Sequence, residues 1–413
     1  MLDIRNYAIV TSAYWSFTLS DGALRMLVLL HFHNLGYTPF QLAMLFLLYE
    51  FMGIVTNLLG GWIASRFGLT LTLYSGLSLQ IAALLALSAL DPTWPVATSV
   101  LVVLIIQGVS GVAKDLSKMS AKSAIKLVVP EDAHSALFKW VALLTGSKNA
   151  LKGCGFFVGG FLLATVGFVH GLWIMAGVLA VILVAARLSL PAEMGRAKTK
   201  TKFSQLLSKS RAINRLSAAR LFLFGARDVW FVVGLPVFLY DVLGWSFVEV
   251  GGFLALWIIG YGFVQGAAPR LTARSADGRT SEVKAAQVWV FALAAVPLTI
   301  AGGMQLGYDV AWMLIGGLAV FGFAFAVNSS LHSYLILAFS GSDKVALNVG
   351  FYYMANAAGR LLGTFLSGLA YQWGGLIGCL GAATALLLLS GLFTLALGPA
   401  AREDVAGNAQ ILR

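Results

Sequence analysis

The sequence predicts an all-α membrane protein with twelve transmembrane helices in two pseudo-symmetric six-helix bundles. Three observations carry this prediction: the composition, the segregation of basic residues and an internal repeat. The 413 residues are 59% hydrophobic and 11% charged, with a mean hydropathy of +0.86. A water-soluble fold of this composition would expose large apolar patches. The net charge of +11 does not indicate nucleic-acid binding, because the basic residues fall between apolar segments rather than on one soluble face.

Twelve apolar segments are long enough to cross a bilayer. Spans 1 to 12 are predicted at residues 7–30, 41–64, 70–90, 95–112, 136–166, 168–190, 218–239, 248–268, 288–304, 311–338, 345–371 and 376–397. The loops after odd-numbered spans contain no Lys or Arg, whereas the loops after even-numbered spans are basic. By the positive-inside rule, both termini are expected in the cytoplasm. Span 1 contains Asp21 and Arg25, unlike the apolar core of a signal peptide, so it is expected to remain in the protein.

An internal repeat divides the chain. A shift of 208 residues aligns Lys152 with Arg360 and Gly155 with Gly363, and the stretch after span 6 is polar and basic. We predict an N-terminal bundle at 1–190, a basic cytoplasmic linker at 191–215, a C-terminal bundle at 216–398 and a cytoplasmic tail at 399–413. Two parallel six-helix repeats resemble the major facilitator superfamily, whose substrate sites lie at the membrane midplane between the halves.

The loop after span 2 also resembles that superfamily. Residues 60–68 read GGWIASRFG, similar to its loop motif of glycine, acid, arginine and glycine. The acidic position is Ser65 here, which puts the gating role of the motif in doubt. The alternative is a tight turn carrying one inside-positive residue, Arg66.

Ionisable side chains in the middle of the spans form the predicted substrate site, because charges there are costly and face a cavity. The cations are Arg25, Lys148, Lys152, Arg227 and Arg360, and the acids, predicted as counter-ions or proton-coupling groups, are Asp21, Glu50 and Asp228. A multiply charged anion would neutralise the surplus of cations. Spans 1, 5, 7 and 11 are equivalent in the two repeats, so the cluster suits a molecule with an anionic group at either end. Asn149, Tyr352 and Asn356 are predicted to complete the site.

Several of these residues have an alternative interpretation. Asp21 and Arg25 could form a salt bridge within one helix. Arg227 and Asp228 point about 100° apart on a helix, so at least one of them needs a partner elsewhere. Arg360 could bridge to Asp21 or Glu50. Glu50 could carry protons, although a counter-ion role beside an arginine is the preferred interpretation.

Two further patterns accompany the charges. The stretch Gly146–Gly160, GSKNALKGCGFFVGG, places Lys148 and Lys152 on one helical face with no acid on the same span. Its glycines at 153, 155, 159 and 160 are predicted to be close-packing positions. In the loop after span 4, a stripe of lysines spaced by four is expected to anchor lipid headgroups rather than to attract anions; its members are Lys114, Lys118, Lys122 and Lys126.

Four runs resemble a narrower family, the ArsJ organoarsenical efflux permeases. They are AYWSFTLSDGALRMLVLLHFHNLGYTPFQ (13–41), YEFMGIVTNLLGGW (49–62), GVAKDLSKMSAKSAIKLVVPEDA (111–133) and FKWVALLTGSKNALKGCGFFVGG (138–160). The similarity covers the whole chain, and SDGALRM and TGSKNALKG are its most specific parts.

The resemblance implies export of 1-arseno-3-phosphoglycerate across the bacterial inner membrane by alternating access, which confers arsenate resistance. It also implies glyceraldehyde-3-phosphate dehydrogenase as the functional partner that makes the ester. The two cysteines fit this substrate, because trivalent arsenic would call for more thiolates. A monomer in the lipid bilayer is expected, with no cofactor, metal or nucleic acid. The alternatives are a transporter of another organophosphate or organic anion and, less favoured, a membrane-embedded enzyme, for which no nucleophile or metal constellation stands out.

Overall fold

A computed structural model describes residues 2–124, 134–191, 210–271, 280–340 and 345–411. Within these ranges the chain is built of helices joined by short turns. The helices are α1 (Leu2–Asn34), α2 (Pro39–Ser88), α3 (Val96–Ala124), α4 (His134–Thr165), α5 (Gly167–Ser189), α6 (Arg211–Phe231), α7 (Gly234–Asp241), α8 (Phe247–Leu271), α9 (Thr280–Gln305), α10 (Val310–Phe339) and α11 (Val345–Ile411).

The helices match the twelve predicted spans and confirm the all-α membrane fold. α2 contains spans 2 and 3, α11 contains spans 11 and 12, and α6 and α7 together form span 7. By length and hydropathy, nine segments of the described chain qualify as membrane spans, and one of them, Asn348–Leu397, has 50 residues, enough for two crossings. α1 and α4, which carry Asp21, Arg25 and the two lysines of span 5, complete the set.

Two of the helices that extend beyond their predicted limits bring charged residues into the helix interior. Span 4 was expected to end at residue 112, but α3 continues to Ala124. Span 7 was expected to begin at residue 218, but α6 begins at Arg211, where Ser210 caps it by accepting from the Ile213 amide. Helices can extend past the hydrocarbon when protein contacts satisfy their polar residues. As a consequence, Asp115 and Arg220 lie inside helices rather than near their ends.

Single glycines break the two longest helices. Gly68 in α2 has φ 74° and ψ 174°, and Gly375 in α11 has φ 57° and ψ −153°. Positive φ is strained for residues with a Cβ atom, so glycine permits these sharp turns between consecutive spans. Gly68 ends the GGWIASRFG motif, which therefore contains a tight turn; the side chains of Ser65 and Arg66 lie outside the part that the structure describes.

The chain forms two compact units. Unit 1 comprises Met1–Lys202 and Leu239–Ile259, and unit 2 comprises Phe203–Phe238 and Gly260–Arg413. Most of the predicted linker, residues 192–209, lies outside the described ranges. The predicted tail is the continuation of α11, whose backbone stays helical to Ile411.

α1 is the central helix of unit 1. Its residues from Ser20 to Leu30 are all buried, as expected for a helix surrounded by others. α1 crosses α4 closely at two glycines of α4: a methyl group at Gly155 or Gly159 would collide with the α1 backbone at Leu19 and Ala23. The other two predicted close-packing glycines, residues 153 and 160, pack in the same way on the first half of α8. The prediction of close-packing positions is confirmed.

α6 is the corresponding helix of unit 2, and two thirds of its residues are buried. It crosses α11 at Gly359 and Gly363, where an added methyl group would meet the backbone of Leu221 and Gly225. The core beside this crossing joins α6, α9, α10 and α11; its buried members are Ala212, Ile213, Leu216, Val283, Ala286, Val327, Leu331, Leu335, Ile336, Tyr352 and Leu397. Each unit is thus organised around a central helix that meets a later helix at two glycines.

Candidate functional site

The first charge cluster lies around the central helix of unit 1. It consists of Asp21 and Arg25 (α1), Tyr49 and Glu50 (α2), Lys114 (α3) and Lys152 (α4). The Arg25 guanidinium donates to Glu50 Oε1 at 2.5 Å. Asp21 accepts from the Tyr49 hydroxyl at 2.5 Å and from Lys152 Nζ at 3.1 Å. Three cations therefore surround two buried carboxylates.

Tyr49 holds this cluster together. Its ring lies beneath Lys114 Nζ at 3.9 Å and beneath the Arg25 guanidinium at 5.3 Å, both measured to the ring centroid. Such cation–π contacts stabilise a desolvated cation by about 0.5–2 kcal/mol. Because its hydroxyl also donates to Asp21, the Tyr49 side chain contacts both ion pairs, Asp21–Lys152 and Arg25–Glu50.

A second polar group in unit 1 lies between α2 and α3. The buried Asp115 carboxylate accepts from the Thr56 hydroxyl and from Lys118, whose ammonium also donates to Asn57 Oδ1 at 2.9 Å. The expected lipid anchoring is therefore wrong for Lys114 and Lys118, which both bind inside the unit. The side chains of Lys122 and Lys126 lie outside the described part.

The second charge cluster lies at the α6–α11 crossing of unit 2. Asp228 on α6 is fully buried and accepts from two arginines. Arg227 Nη2 approaches its Oδ1 at 2.5 Å, and Arg360 Nε of α11 approaches its Oδ2 at 3.3 Å. One carboxylate therefore serves two cations. Arg227 also lies over the rings of Phe224 and Phe325.

Arg220 enters the same region one helical turn below Phe224, whose ring lies 4.0 Å from the Arg220 guanidinium. The residue is 4% exposed. Its Nε donates to Asn356 Oδ1 at 2.9 Å, and its Nη1 donates to the carbonyl and the hydroxyl of Ser329, each at 2.9 Å. Tyr352 lies 5.0 Å away, again measured to the ring centroid. In the described part of the chain, no carboxylate lies within salt-bridge distance of Arg220.

The structure groups most of the predicted site residues within their own units. The first cluster, in unit 1, contains Asp21, Arg25, Glu50 and Lys152, and half-buried Lys148 and Asn149 lie on the preceding turn of α4. The second cluster, in unit 2, contains Arg227, Asp228 and Arg360. Tyr352 and Asn356 lie around Arg220 in the same unit.

The alternatives left open by the sequence have definite outcomes. Asp21 binds Lys152 rather than Arg25, so the salt bridge within α1 is not formed. Glu50 is the counter-ion of Arg25. Arg360 pairs with Asp228 of its own unit.

The expectation that Arg227 or Asp228 takes a partner elsewhere is confirmed, although the two side chains also bind each other. Their Cα–Cβ bonds diverge on the helix, but the long arginine side chain folds back onto the neighbouring carboxylate. The other carboxylate oxygen does take the expected partner elsewhere, on Arg360.

Sequence reasoning missed Arg220, Asp115 and His332 as buried polar groups, and it placed the half-buried Lys114 in a loop. Arg220 and Asp115 were placed near or beyond span ends. The signal for Arg220 was the apolar pattern of Ala212, Ile213 and Leu216, which extends α6 about two turns towards its N-terminus. The lysine spacing of four was the corresponding signal that α3 extends past Asp115. In the described residues, no group of three or more His, Cys, Asp or Glu side chains is arranged to hold a metal.

Solved structures with the same fold are transporters. A bacterial homologue of the iron transporter ferroportin, in an inward-facing state, superposes with a TM-score of 0.69 at 15% identity over 96% of this chain and 99% of that one. A POT family transporter bound to a thioalcohol-conjugated peptide gives 0.77 at 13% identity over 96% of each chain. A structure reported for substrate recognition in proton-dependent oligopeptide transporters gives 0.70 at 15% identity, covering 97% and 100%. At these identities the likeness shows the fold alone.

The sequence comparison gives the family. No significant match was found among curated proteins. The profile of the Major Facilitator Superfamily matches residues 10–295, more than half of the chain. With the helical fold and the charged central helices described above, the chain belongs to the Major Facilitator Superfamily of membrane transporters.

Proposed function

We propose that this transporter exports 1-arseno-3-phosphoglycerate across the bacterial inner membrane by alternating access and so confers arsenate resistance. Glyceraldehyde-3-phosphate dehydrogenase is the proposed source of the ester. Both termini are proposed to lie in the cytoplasm, and the protein is proposed to act as a monomer. The resemblance of the four sequence runs to ArsJ permeases suggests this substrate, and the charge clusters support a polyanion.

The carrying observation is a matched pair of cations, one in each unit, that are more exposed and lie farther from their acids than Arg25 and Arg227 do. Lys152 and Arg360 are 208 residues apart, the offset of the internal repeat. Lys152 lies 3.1 Å from Asp21 and Arg360 lies 3.3 Å from Asp228, whereas Arg25–Glu50 and Arg227–Asp228 are both 2.5 Å apart.

Exposure separates the same two groups. The Lys152 and Arg360 side chains are 17% and 20% exposed, compared with 8% for Arg25 and 13% for Arg227. In each unit, the later helix therefore presents the cation whose side chain is more exposed and whose ion pair with the acid of the central helix is longer.

This arrangement suits a substrate with an oxyanion at each end. A carboxylate keeps each cation ionised and in position while the site is empty. A tetrahedral oxyanion can then replace the carboxylate as the partner of the lysine ammonium or the arginine fork. Exchange of partners avoids leaving a buried charge uncompensated, which would slow release. We propose that Arg25, Arg227, Lys148, Asn149, Tyr352 and Asn356 support these contacts.

Inverted membrane vesicles test the proposal. Glyceraldehyde-3-phosphate dehydrogenase outside the vesicles would make the ester continuously from glyceraldehyde 3-phosphate, NAD⁺ and arsenate. Vesicles containing the protein should accumulate arsenic and phosphorus together, and vesicles without it should not. A lack of uptake by folded protein would contradict the proposal.

The main alternative is a transporter of another organophosphate, which the surplus of cations would equally permit. The same vesicle assay with a different ester distinguishes the two. Phosphate in place of arsenate makes 1,3-bisphosphoglycerate, which has nearly the same shape and charge. Preference for the arsenate ester supports the proposal. Equal or faster uptake of the bisphosphate would assign the protein to organophosphate transport in general.

A further inference from the structure

Arg220 differs electrostatically from the other buried arginines of the two clusters. Arg25, Arg227 and Arg360 each contact a carboxylate, whereas the hydrogen bonds of Arg220 go to the neutral acceptors of Ser329 and Asn356. Its Nη2 makes no hydrogen bond to the described part of the chain. A buried cation without a counter-ion is costly to maintain.

Polar atoms without a hydrogen-bond partner among the described residues lie on α10, beside the Ser329 that binds Arg220. Asn328 and His332 of α10 are both fully buried. Neither amide atom of Asn328 and neither ring nitrogen of His332 has a hydrogen-bond partner among the described residues. His332 is spaced i, i+4 from Asn328 and i, i+3 from Ser329, which binds Arg220, so it lies next to both on the surface of α10. The three side chains span about 100° of the helix circumference.

We infer that Arg220, Asn328 and His332 form an oxyanion subsite in unit 2 that binds one tetrahedral end, phosphate or arsenate, of the transported ester. Arg220 supplies the charge and the unused edge of its guanidinium fork. The Asn328 amide and a His332 N–H supply neutral donors. A ligand there would satisfy the cation and the buried polar atoms together, as packed side chains do not.

The subsite rests on the proposed function for the identity of its ligand, but not for its chemistry. Arg360 would remain the exchangeable cation of the second cluster. Arg220 would give the same unit a fixed anchor, because its partners are neutral and do not compete electrostatically with an incoming anion. A tetrahedral oxyanion also fits a site with donors on several sides better than a planar carboxylate does.

The test is ligand-induced thermal stabilisation of the full-length purified protein, with stable compounds as probes. 3-Phosphoglycerate and glycerol 3-phosphate carry the tetrahedral group, and glycerate carries only the carboxylate. The two phosphate compounds should raise the melting temperature of the wild type, and glycerate should not. Arg220→Gln should lower the apparent affinity for 3-phosphoglycerate at least about tenfold. Without ligand, it should melt no lower than the wild type, because it removes an uncompensated charge.

Two further variants keep the result decisive. Arg220→Lys retains the charge without the planar fork and should weaken binding less than the glutamine variant does. Arg215→Gln is the matched control on the same helix: Arg215 donates to the Ala396 carbonyl at 2.6 Å, outside the subsite, and its loss should leave the affinity unchanged.

Three results would overturn the inference: wild-type affinity in both Arg220 variants, a melting temperature several degrees lower in ligand-free Arg220→Gln, or protection of the wild type by glycerate alone. The vesicle assay is independent of this one. A wild type that binds 3-phosphoglycerate through Arg220 but does not take up the ester would contradict the proposed function and leave the subsite standing.

Discussion

The two units share a scaffold but balance their charges differently. In both, a buried central helix crosses a later helix at two glycines, and an acid of the central helix binds a cation of the later one. In unit 1, Asp21 and Glu50 serve separate cations, Lys152 and Arg25. In unit 2, Asp228 alone serves Arg227 and Arg360, and Arg220 stands nearby without a carboxylate.

The difference indicates a division of roles. The repeat conserves the backbone crossing, because a glycine that lets two helices touch has no substitute. The charges around the crossing are free to diverge. The charge cluster of unit 1 has three cations and two acids, whereas the region around Asp228 in unit 2 has three arginines and one acid. The site in unit 2 should therefore hold an anionic group more tightly.

The largest expected effect is the loss of the shared acid. Asp228→Asn removes the carboxylate that both Arg227 and Arg360 bind, and we expect a cost of about 3–5 kcal/mol in folding free energy. Asp21→Asn should cost less, because Arg25 keeps Glu50. Melting temperatures of the two variants in the same detergent give the comparison. A larger loss of melting temperature for Asp21→Asn than for Asp228→Asn would contradict this difference in charge balance between the two clusters.

The next effect is the rescue of a broken pair. Lys152→Met removes the ion-pair partner of buried Asp21, which keeps the Tyr49 hydroxyl as a hydrogen-bond donor, and should lower the melting temperature strongly. Adding Asp21→Asn removes the stranded charge and should restore most of the stability. The equivalent double variant in unit 2, Asp228→Asn with Arg360→Met, should recover much less because Arg227 is left without its partner. Equal recovery in both units would refute the shared-acid account.

The glycine crossings should respond alike in both units. Gly159→Ala and Gly359→Ala place a methyl group against the backbone of Ala23 and Leu221, and each should cost about 1–3 kcal/mol. Gly177→Ala is the control: nothing lies within 4 Å of its added Cβ, so the stability should stay equal or rise slightly. Thermal unfolding measures all three. Tolerance of alanine in one crossing only would break the structural equivalence.

The smallest effect concerns Tyr49, which has no counterpart at Asp228. Tyr49→Phe removes the hydroxyl bond to Asp21 but keeps the ring beneath Lys114 and Arg25. We expect a loss of about 1–2 kcal/mol. Tyr49→Leu, which also removes the ring, should cost more. Similar melting temperatures for the two variants would mean that the cation–π contacts contribute little.

Much of the fold could be predicted from the sequence, because hydropathy and loop charge directly reflect the bilayer. The packing role of the glycines at 153, 155, 159 and 160 could also be predicted, because few other functions require so many glycines on one helix. The ion-pair partners could not be predicted. Whether Asp21 turns to Arg25 or to Lys152 depends on how close α4 comes, and only the crossing at Gly155 determines that. Arg220 was missed because its distance from the helix start was underestimated by seven residues.

The central claim is that Lys152 and Arg360, the more exposed cations at the two helix crossings, bind a polyanionic arsenate ester. Transport by a variant that lacks both Lys152 and its acid tests this claim most directly. The measurement is the initial rate of arsenic uptake from the enzymatically made ester, in inverted vesicles with equal amounts of folded wild type and of Asp21→Asn with Lys152→Met. The account predicts uptake by the wild type and a rate at least about tenfold lower in the double variant, despite its restored stability. Equal rates in the two proteins, or no uptake by the wild type, would contradict it.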